Sequence, residues 1–241
     1  MLADDVKLES TLSLPEQETE SLKVAPNAQK GSGTGGFTIK RGPSPGQTSV
    51  LRPLDAEKIL EEYPELTFLT NLPVLNTPLL VFTENAERTI KEHIFWGEKR
   101  LENLHEQGGI LIGRPFSTGN SILGLAEYAI PAILSQASFA YLRMGTESWA
   151  RMLGLYDVQY KDKGLYVIGW FHTHPNSLPT FMSSTDMGTQ RTFFYQDWHF
   201  SAVMNPQRHL LSCFHSAEAA VCDYYPPDYT TRMLQENQEK R

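Results

Sequence analysis

The sequence has little of what marks several common classes of protein. Its 241 residues include only two cysteines, Cys213 and Cys222, and they are not spaced as a C-x-x-C pair. So few cysteines exclude a disulfide scaffold, and they favour reduced, buried thiols over a bond across neighbouring strands. The chain also has no apolar run of 18 residues, so we expect no transmembrane helix.

Basic residues are in the minority. Lys and Arg together number 21 against 28 Asp and Glu, which gives a formal net charge of -7. This balance argues against a surface for nucleic acid or anionic membrane. The chain begins Met1-Leu2-Ala3-Asp4-Asp5, which is acidic and lacks the apolar stretch of a secretory signal. We therefore expect a cytoplasmic protein.

The composition changes along the chain and predicts four regions. Residues 1–50 are rich in Glu, Ser, Gly and Pro and poor in large apolar groups, which predicts a disordered tail. Residues 51–78 contain a short helical pattern at 55–62 and are expected to form an accessory segment. Residues 79–225 are expected to form the main domain, and the charged residues 226–241 a loose tail.

The main domain mixes strand and helix patterns, which predicts an α/β (mixed α+β) fold. It opens with a buried strand at Leu79–Phe82, and Thr83 is a good N-cap for a helix whose apolar spacing continues to His105. Helices are predicted at residues 146–155 and 187–196, the second entered at Asp186 as its N-cap. Further strands are predicted at residues 109–113, 120–133, 165–171, 199–204, 210–215 and 219–225.

Two histidines, His172 and His174, follow the apolar strand pattern at residues 165–171. Residues two apart on a strand point to the same side, so both imidazoles can reach one ion. Asp186 adds a carboxylate twelve residues after His174. Two imidazoles and one carboxylate are three of the four groups around a tetrahedral catalytic zinc, with the fourth position left for water. Trp170 and Phe171 are expected to pack beneath this site.

The motif resembles the signature of the JAMM metalloprotease family, the catalytic MPN domain, in which His-x-His precedes a short loop and then Ser-x-x-Asp. That family also places a glutamate directly before a Gly-rich apolar strand, as in the segment Glu106-Gln107-Gly108-Gly109-Ile110. The resemblance covers roughly residues 79–225. One departure is the loop from His174 to Ser183, which holds one residue more than the usual family spacing. The resemblance implies a curved mixed β-sheet flanked by helices, and one Zn²⁺ per chain.

The resemblance also implies roles for two further residues. Glu106 matches the family's general base, which takes a proton from water and delivers it to the leaving amine. Without the resemblance, the favoured interpretation of Glu106 is a solvated carboxylate at a helix end. Ser183 matches the serine whose hydroxyl helps to hold the oxyanion, and its ordinary alternative is an N-cap or turn serine. Because of the longer loop, the adjacent Ser184 is a rival for that role.

The family activity makes a zinc-dependent isopeptidase or peptidase the leading hypothesis. Such an enzyme hydrolyses the bond after the C-terminal Gly-Gly of ubiquitin or a ubiquitin-like modifier, which is then its partner, and an MPN subunit or other protein is a further partner to consider. Two alternatives stay open. One is a non-catalytic scaffold of the same fold, and the other is a zinc hydrolase of small amide or peptide substrates.

Overall fold

The structure is a computed structural model that describes residues 50–98, 105–133, 136–138, 141–143 and 146–226. The tails predicted at residues 1–50 and 226–241 lie outside the described residues, apart from Val50 and Pro226. All the described residues belong to one compact unit, Gly46–Arg241.

The described residues form short helices and strands in mixed order. The helices are α1 (Ala56–Glu62), α2 (Glu84–His93), α3 (Thr146–Gln159) and α4 (Ser184–Phe193), with single 3₁₀ turns at Thr67–Asn71 and Lys161–Lys163. The strands are β1 (Arg52–Pro53), β2 (Leu79–Phe82), β3 (Gly108–Ser117), β4 (Ile122–Pro131), β5 (Gln136–Ser138), β6 (Tyr141–Arg143), β7 (Tyr166–Thr173), β8 (Phe200–Asn205), β9 (Leu210–His215) and β10 (Ala220–Tyr225). The expected mixed α+β class is confirmed.

The main sheet closes on itself. Its strand order is β1-β3-β4-β2-β10-β9-β8-β7, and β7 also pairs with β3. The pairs β2–β4, β2–β10 and β7–β8 are parallel, whereas β3–β4, β3–β7, β8–β9 and β9–β10 are antiparallel. Strands β5 and β6 form a separate antiparallel hairpin. Strand β7 is therefore fixed by hydrogen bonds on both sides along the part that leads to the two histidines.

Side chains of β3 and β7 alternate between two apolar clusters, as strand geometry requires. Leu111 and Phe171 pack with α2 and with Phe200 in the larger cluster. Ile110 and Trp170 face the other way and pack with residues of α3 and with Phe194, the C-cap of α4. Adjacent residues of β7 therefore pack in different clusters, and this alternation determines the face of the sheet on which each histidine lies.

Helix α2 is shorter than the sequence predicts. Thr83 is its N-cap and accepts a hydrogen bond from the Ala86 N–H, as expected. The helix ends at His93, however, and Phe95 and Gly97 have left-handed backbones with φ of 54° and 82°. These conformations end the helix, so its predicted extension to His105 was wrong. Residues 99–104 lie outside the described residues.

The segment at residues 51–78 packs on the sheet. Helix α1 begins after Asp55, whose side chain accepts from the Lys58 N–H, so the predicted helical pattern is confirmed. Ile59 lies in a cluster with residues of β2, β3 and β4. Arg114 of β3 donates to Glu62 of this helix at 2.6 Å and to Glu127 of β4 at 2.7 Å. An apolar cluster and a bridging guanidinium together fasten the segment to the sheet.

The two cysteines are free and buried. Cys213 of β9 lies directly opposite Cys222 of β10. Burial raises the pKa of both thiols, and that of Cys222 reaches about 12. The expected buried thiols are confirmed. None of the described helices is long and apolar enough to cross a membrane.

Candidate metal centre

Strand β7 delivers the two histidines to one place. His172 is paired with Gly108 of β3 on one side and with Val203 of β8 on the other. His174 follows the strand directly, and its backbone N–H donates to the Met204 carbonyl at 2.8 Å. Both side chains are buried, and their ring centroids are 5.0 Å apart. The predicted convergence of the two imidazoles is confirmed.

His172 is held by packing rather than by hydrogen bonds. Its ring stacks on Trp170, two residues earlier on the same face, with centroids 4.4 Å apart and planes 11° from parallel. The side chain has no solvent exposure, and neither ring nitrogen makes a hydrogen bond. Its Nε2 lies 3.3 Å from Asp186 Oδ1. Burial lowers the pKa of His172, which favours the neutral ring that binds metal.

His174 is oriented by a backbone carbonyl. Its Nδ1 lies 2.8 Å from the Pro179 oxygen, and since a carbonyl only accepts, Nδ1 carries the proton. The lone pair is then on Nε2, which lies 3.5 Å from Asp186 Oδ2. Burial opposes the charged ring, but Asp186, the Pro179 carbonyl and Glu106 together outweigh it and raise the pKa of His174. A carbonyl on the far nitrogen is the usual support of a metal-binding histidine.

Asp186 reaches the histidines from the first turn of α4. Ser183, not Asp186, is the N-cap of this helix, so the predicted start at Asp186 was wrong. The two residues form a capping box, in which Ser183 N–H donates to Asp186 Oδ2 at 2.8 Å and Asp186 N–H donates to Ser183 Oγ at 3.3 Å. Burial opposes ionisation of Asp186, but the two histidines and Ser183 outweigh it and lower the pKa of its carboxyl group.

The two candidate serines differ in their surroundings. Ser183 is half-buried and its hydroxyl is turned toward the backbone of Asp186, beside the cluster. Ser184, the first residue of α4, is exposed. The structure therefore gives Ser183 the ordinary role of an N-cap.

Glu106 lies beside His174. Strand β3 runs antiparallel to β7 with Gly108 opposite His172, and the Gln107 carbonyl accepts a hydrogen bond from the Thr173 N–H. Continuing that register by one step places Glu106 next to His174. The side chain of Glu106 is 4% exposed, and its carboxylate adds to the factors that raise the pKa of His174. The alternative of a solvated carboxylate at a helix end is contradicted by this burial.

Thr173 has the structural role that its opposite-facing position predicts. Its hydroxyl accepts from the Gln107 N–H at 2.8 Å, and its own N–H donates to the Gln107 carbonyl at 2.8 Å.

Trp170 packs against the site, as expected. Phe171 instead faces the larger core, so its expected position beneath the site was wrong. The period of two along a strand could have predicted that these two neighbouring residues lie on opposite faces.

The cluster fits a metal ion by its geometry and its donors. Two ligand atoms on a tetrahedral zinc with bonds of about 2.0–2.1 Å are separated by about 3.3–3.4 Å. In the structure His172 Nε2 lies 3.3 Å from Asp186 Oδ1 and His174 Nε2 lies 3.5 Å from Asp186 Oδ2, so each imidazole nitrogen has one carboxylate oxygen close to that spacing. A buried Nε2 of His172 without a hydrogen bond is the kind of orphaned group that an ion satisfies. Within the described part of the chain, His172, His174 and Asp186 are the one such group of potential ligands.

Two features of the site were missed by sequence reasoning. Trp170 is fixed by Gln190 of α4, whose side-chain oxygen accepts from the indole N–H at 2.7 Å. The Pro179 carbonyl that orients His174 belongs to the loop at residues 175–182. Both contacts depend on tertiary packing, and neither leaves a signal in the spacing of residues.

No protein-family model matches the chain, and no curated protein shows a significant similarity to it.

Proposed function

We propose that this protein is a zinc-dependent isopeptidase or peptidase that hydrolyses the bond after the C-terminal Gly-Gly of ubiquitin or a ubiquitin-like modifier. The proposal rests on one observation: His172, His174 and Asp186 are buried with ligand atoms within 4.8 Å of one another, and Glu106 lies beside them. The order of these residues resembles the JAMM signature. The same resemblance assigns the closed mixed sheet to the curved sheet of an MPN domain.

The chain supplies the proton transfers through Glu106. A zinc ion held by His172, His174 and Asp186 would supply a water acidic enough to ionise near neutral pH. Glu106, buried next to His174, is positioned to take that proton and to pass it to the leaving amine. One carboxylate can act as base and then as acid because the two transfers occur in sequence.

Ser183 is the better candidate of the two serines, because its hydroxyl contacts the backbone of Asp186 whereas Ser184 is exposed. A hydroxyl donor directed at the developing oxyanion typically contributes about 3 kcal/mol, on the order of 100-fold in rate. In the structure this hydroxyl accepts a hydrogen bond from Asp186 N–H at 3.3 Å, which leaves its own proton for another acceptor. Capping and oxyanion binding are therefore compatible in one residue.

Cleavage of fusion proteins tests the proposal. The purified chain is incubated with a panel of ubiquitin and ubiquitin-like proteins fused through Gly-Gly to a reporter, with and without a chelator. We expect cleavage after Gly-Gly that the chelator abolishes and added zinc restores. Bound zinc without cleavage of any fusion would favour a hydrolase of small amides, and a chain that binds no metal would favour a scaffold.

A further inference from the structure

The loop at residues 175–182, which carries the Pro179 carbonyl, is fastened to the turn between β8 and β9. Asn205, the last residue of β8, has no solvent exposure. Its Nδ2 donates to two loop carbonyls, Asn176 at 3.0 Å and Leu178 at 2.8 Å. Its Oδ1 accepts from the Arg208 N–H at 2.9 Å. The amide nitrogen thus binds the loop, and the amide oxygen binds the turn.

A second amide reinforces the contact. Gln207 accepts from the Asn176 N–H through Oε1, and its Nε2 donates to Asn176 Oδ1 at 3.1 Å. Asn176 has a left-handed backbone with φ of 63°, a conformation that asparagine tolerates better than most residues. Arg208 adds a longer bond to the Ser177 carbonyl at 3.3 Å. Three consecutive loop residues are therefore held before the chain reaches Pro179.

The position of the loop determines which nitrogen of His174 is available to a metal. An imidazole binds through the nitrogen without a proton, and the Pro179 carbonyl keeps the proton of His174 on Nδ1. That carbonyl lies one residue after Leu178, one of the two residues held directly by Asn205. Without these bonds, the loop would no longer hold the Pro179 carbonyl 2.8 Å from His174 Nδ1.

We propose that Asn205 is a positioning residue of the metal centre, which sets the tautomer and orientation of His174 through the loop at residues 175–182. This inference rests on the proposed function, because it requires His174 to be a metal ligand. It also gives a role to the loop that is one residue longer than the family pattern. The side-chain amides of Asn205 and Gln207 hold this loop by hydrogen bonds to Asn176 and Leu178.

The substitution Asn205→Asp separates this role from a merely structural one. Aspartate keeps the size of the side chain and the oxygen that accepts from Arg208, but it loses both donors to the loop carbonyls. If Asn205 served the turn alone, Asn205→Asp would keep the wild-type zinc affinity, even though its buried carboxylate would face the Asn176 and Leu178 carbonyls and lower stability. Asn85→Asp is a matched control, since Asn85 Nδ2 also donates to a backbone carbonyl, that of Glu127, on helix α2.

Zinc affinity is measured for each protein by competition with a chromophoric chelator. We expect Asn205→Asp and Asn205→Ala to weaken zinc binding by roughly 10- to 100-fold, the usual effect of removing support from a ligand, and Asn85→Asp to change it less than twofold. Gln207→Ala, on the partly exposed turn, is expected to weaken it several-fold and remains informative if the Asn205 variants fail to fold. Wild-type affinity in Asn205→Asp or in Gln207→Ala would overturn the inference.

A second readout does not depend on metal. In the metal-free protein at a pH where the ring is neutral, nitrogen NMR should show His174 protonated on Nδ1, and a mixture of tautomers in Asn205→Asp. An unchanged tautomer would contradict the inference. A wild-type chain that binds no zinc but shows the tautomer change would instead contradict the proposed function and leave the loop contact intact.

Discussion

Ser183 allows the capping and catalytic contributions of one hydroxyl to be separated. Its Oγ accepts a hydrogen bond from the Asp186 N–H at 3.3 Å. The reciprocal bond, from the Ser183 N–H to Asp186 Oδ2 at 2.8 Å, uses only the backbone of Ser183 and does not depend on its hydroxyl. Ser183→Ala and Ser183→Gly both remove the hydroxyl. Glycine is itself an acceptable N-cap and alanine is not, so the two variants differ mainly in the stability of α4.

The expected magnitudes follow from these contacts. Ser183→Ala should lower the free energy of unfolding by about 1 kcal/mol, and Ser183→Gly by only a few tenths of 1 kcal/mol. For a domain of this size, 1 kcal/mol corresponds to a fall of about 2–4 °C in Tm. If the hydroxyl also binds the oxyanion, both variants should lose about 3 kcal/mol of transition-state stabilisation, on the order of 100-fold in kcat.

The assay is cleavage of a Gly-Gly fusion by zinc-loaded proteins, with Tm recorded for each by calorimetry. We expect equal losses of kcat in Ser183→Ala and Ser183→Gly despite their different Tm values, and little change in the exposed-site control Ser184→Ala. Near-normal turnover in Ser183→Gly would refute the oxyanion role and leave Ser183 as a cap. A larger loss in Ser184→Ala would show that the longer loop has changed which serine acts.

Three further predictions concern the base, the pH dependence of stability and the packing of β7. Glu106→Gln should keep its zinc and its Tm but lose activity by several orders of magnitude, and turnover near the wild-type rate would remove this residue from the mechanism. Burial lowers the pKa of His199 from 6.5 to about 4, so the unfolded chain binds the extra proton as pH falls. The contribution of His199 to stability should therefore fall by roughly 2 kcal/mol between pH 8 and pH 5. In chelator-treated protein, the stability of His199→Gln should fall by about that much less than that of the wild type when urea unfolding is compared at the two pH values. Gly169→Ala should destabilise the fold severely because its Cβ would lie 2.1 Å from the Phe200 oxygen. Gly154→Ala, in helix α3 with nothing within 4 Å of the added Cβ, should raise Tm. A higher Tm for Gly169→Ala than for Gly154→Ala would contradict the packing.

Local patterns predicted the elements that surround the site. The apolar run before His172 gave strand β7, and the capping preference of Thr83 gave the start of α2. The period of two along a strand predicted that His172 and His174 would converge. These features depend on near neighbours in sequence, which is why the residues alone were informative.

Other features depend on contacts between distant residues and were missed or misjudged. The apolar spacing after His93 continues, yet the chain leaves the helix there, because spacing does not report the left-handed conformations of Phe95 and Gly97. Asp186 was expected to cap α4, but Ser183 is the better placed cap and Asp186 takes the third position, still facing the histidines. The Asn205 side chain donates to the carbonyl of Leu178, which lies 27 residues earlier in the sequence, a separation that no local pattern covers.

The metal content of the wild-type chain tests the central claim most directly. The protein is purified without chelator and its metals are quantified by elemental analysis, with His172→Ala and His174→Ala prepared in parallel. We predict one zinc per chain in the wild type, its loss on chelation, and little bound zinc in either variant. A folded wild-type protein that contains no zinc and takes up none when it is supplied would contradict the account.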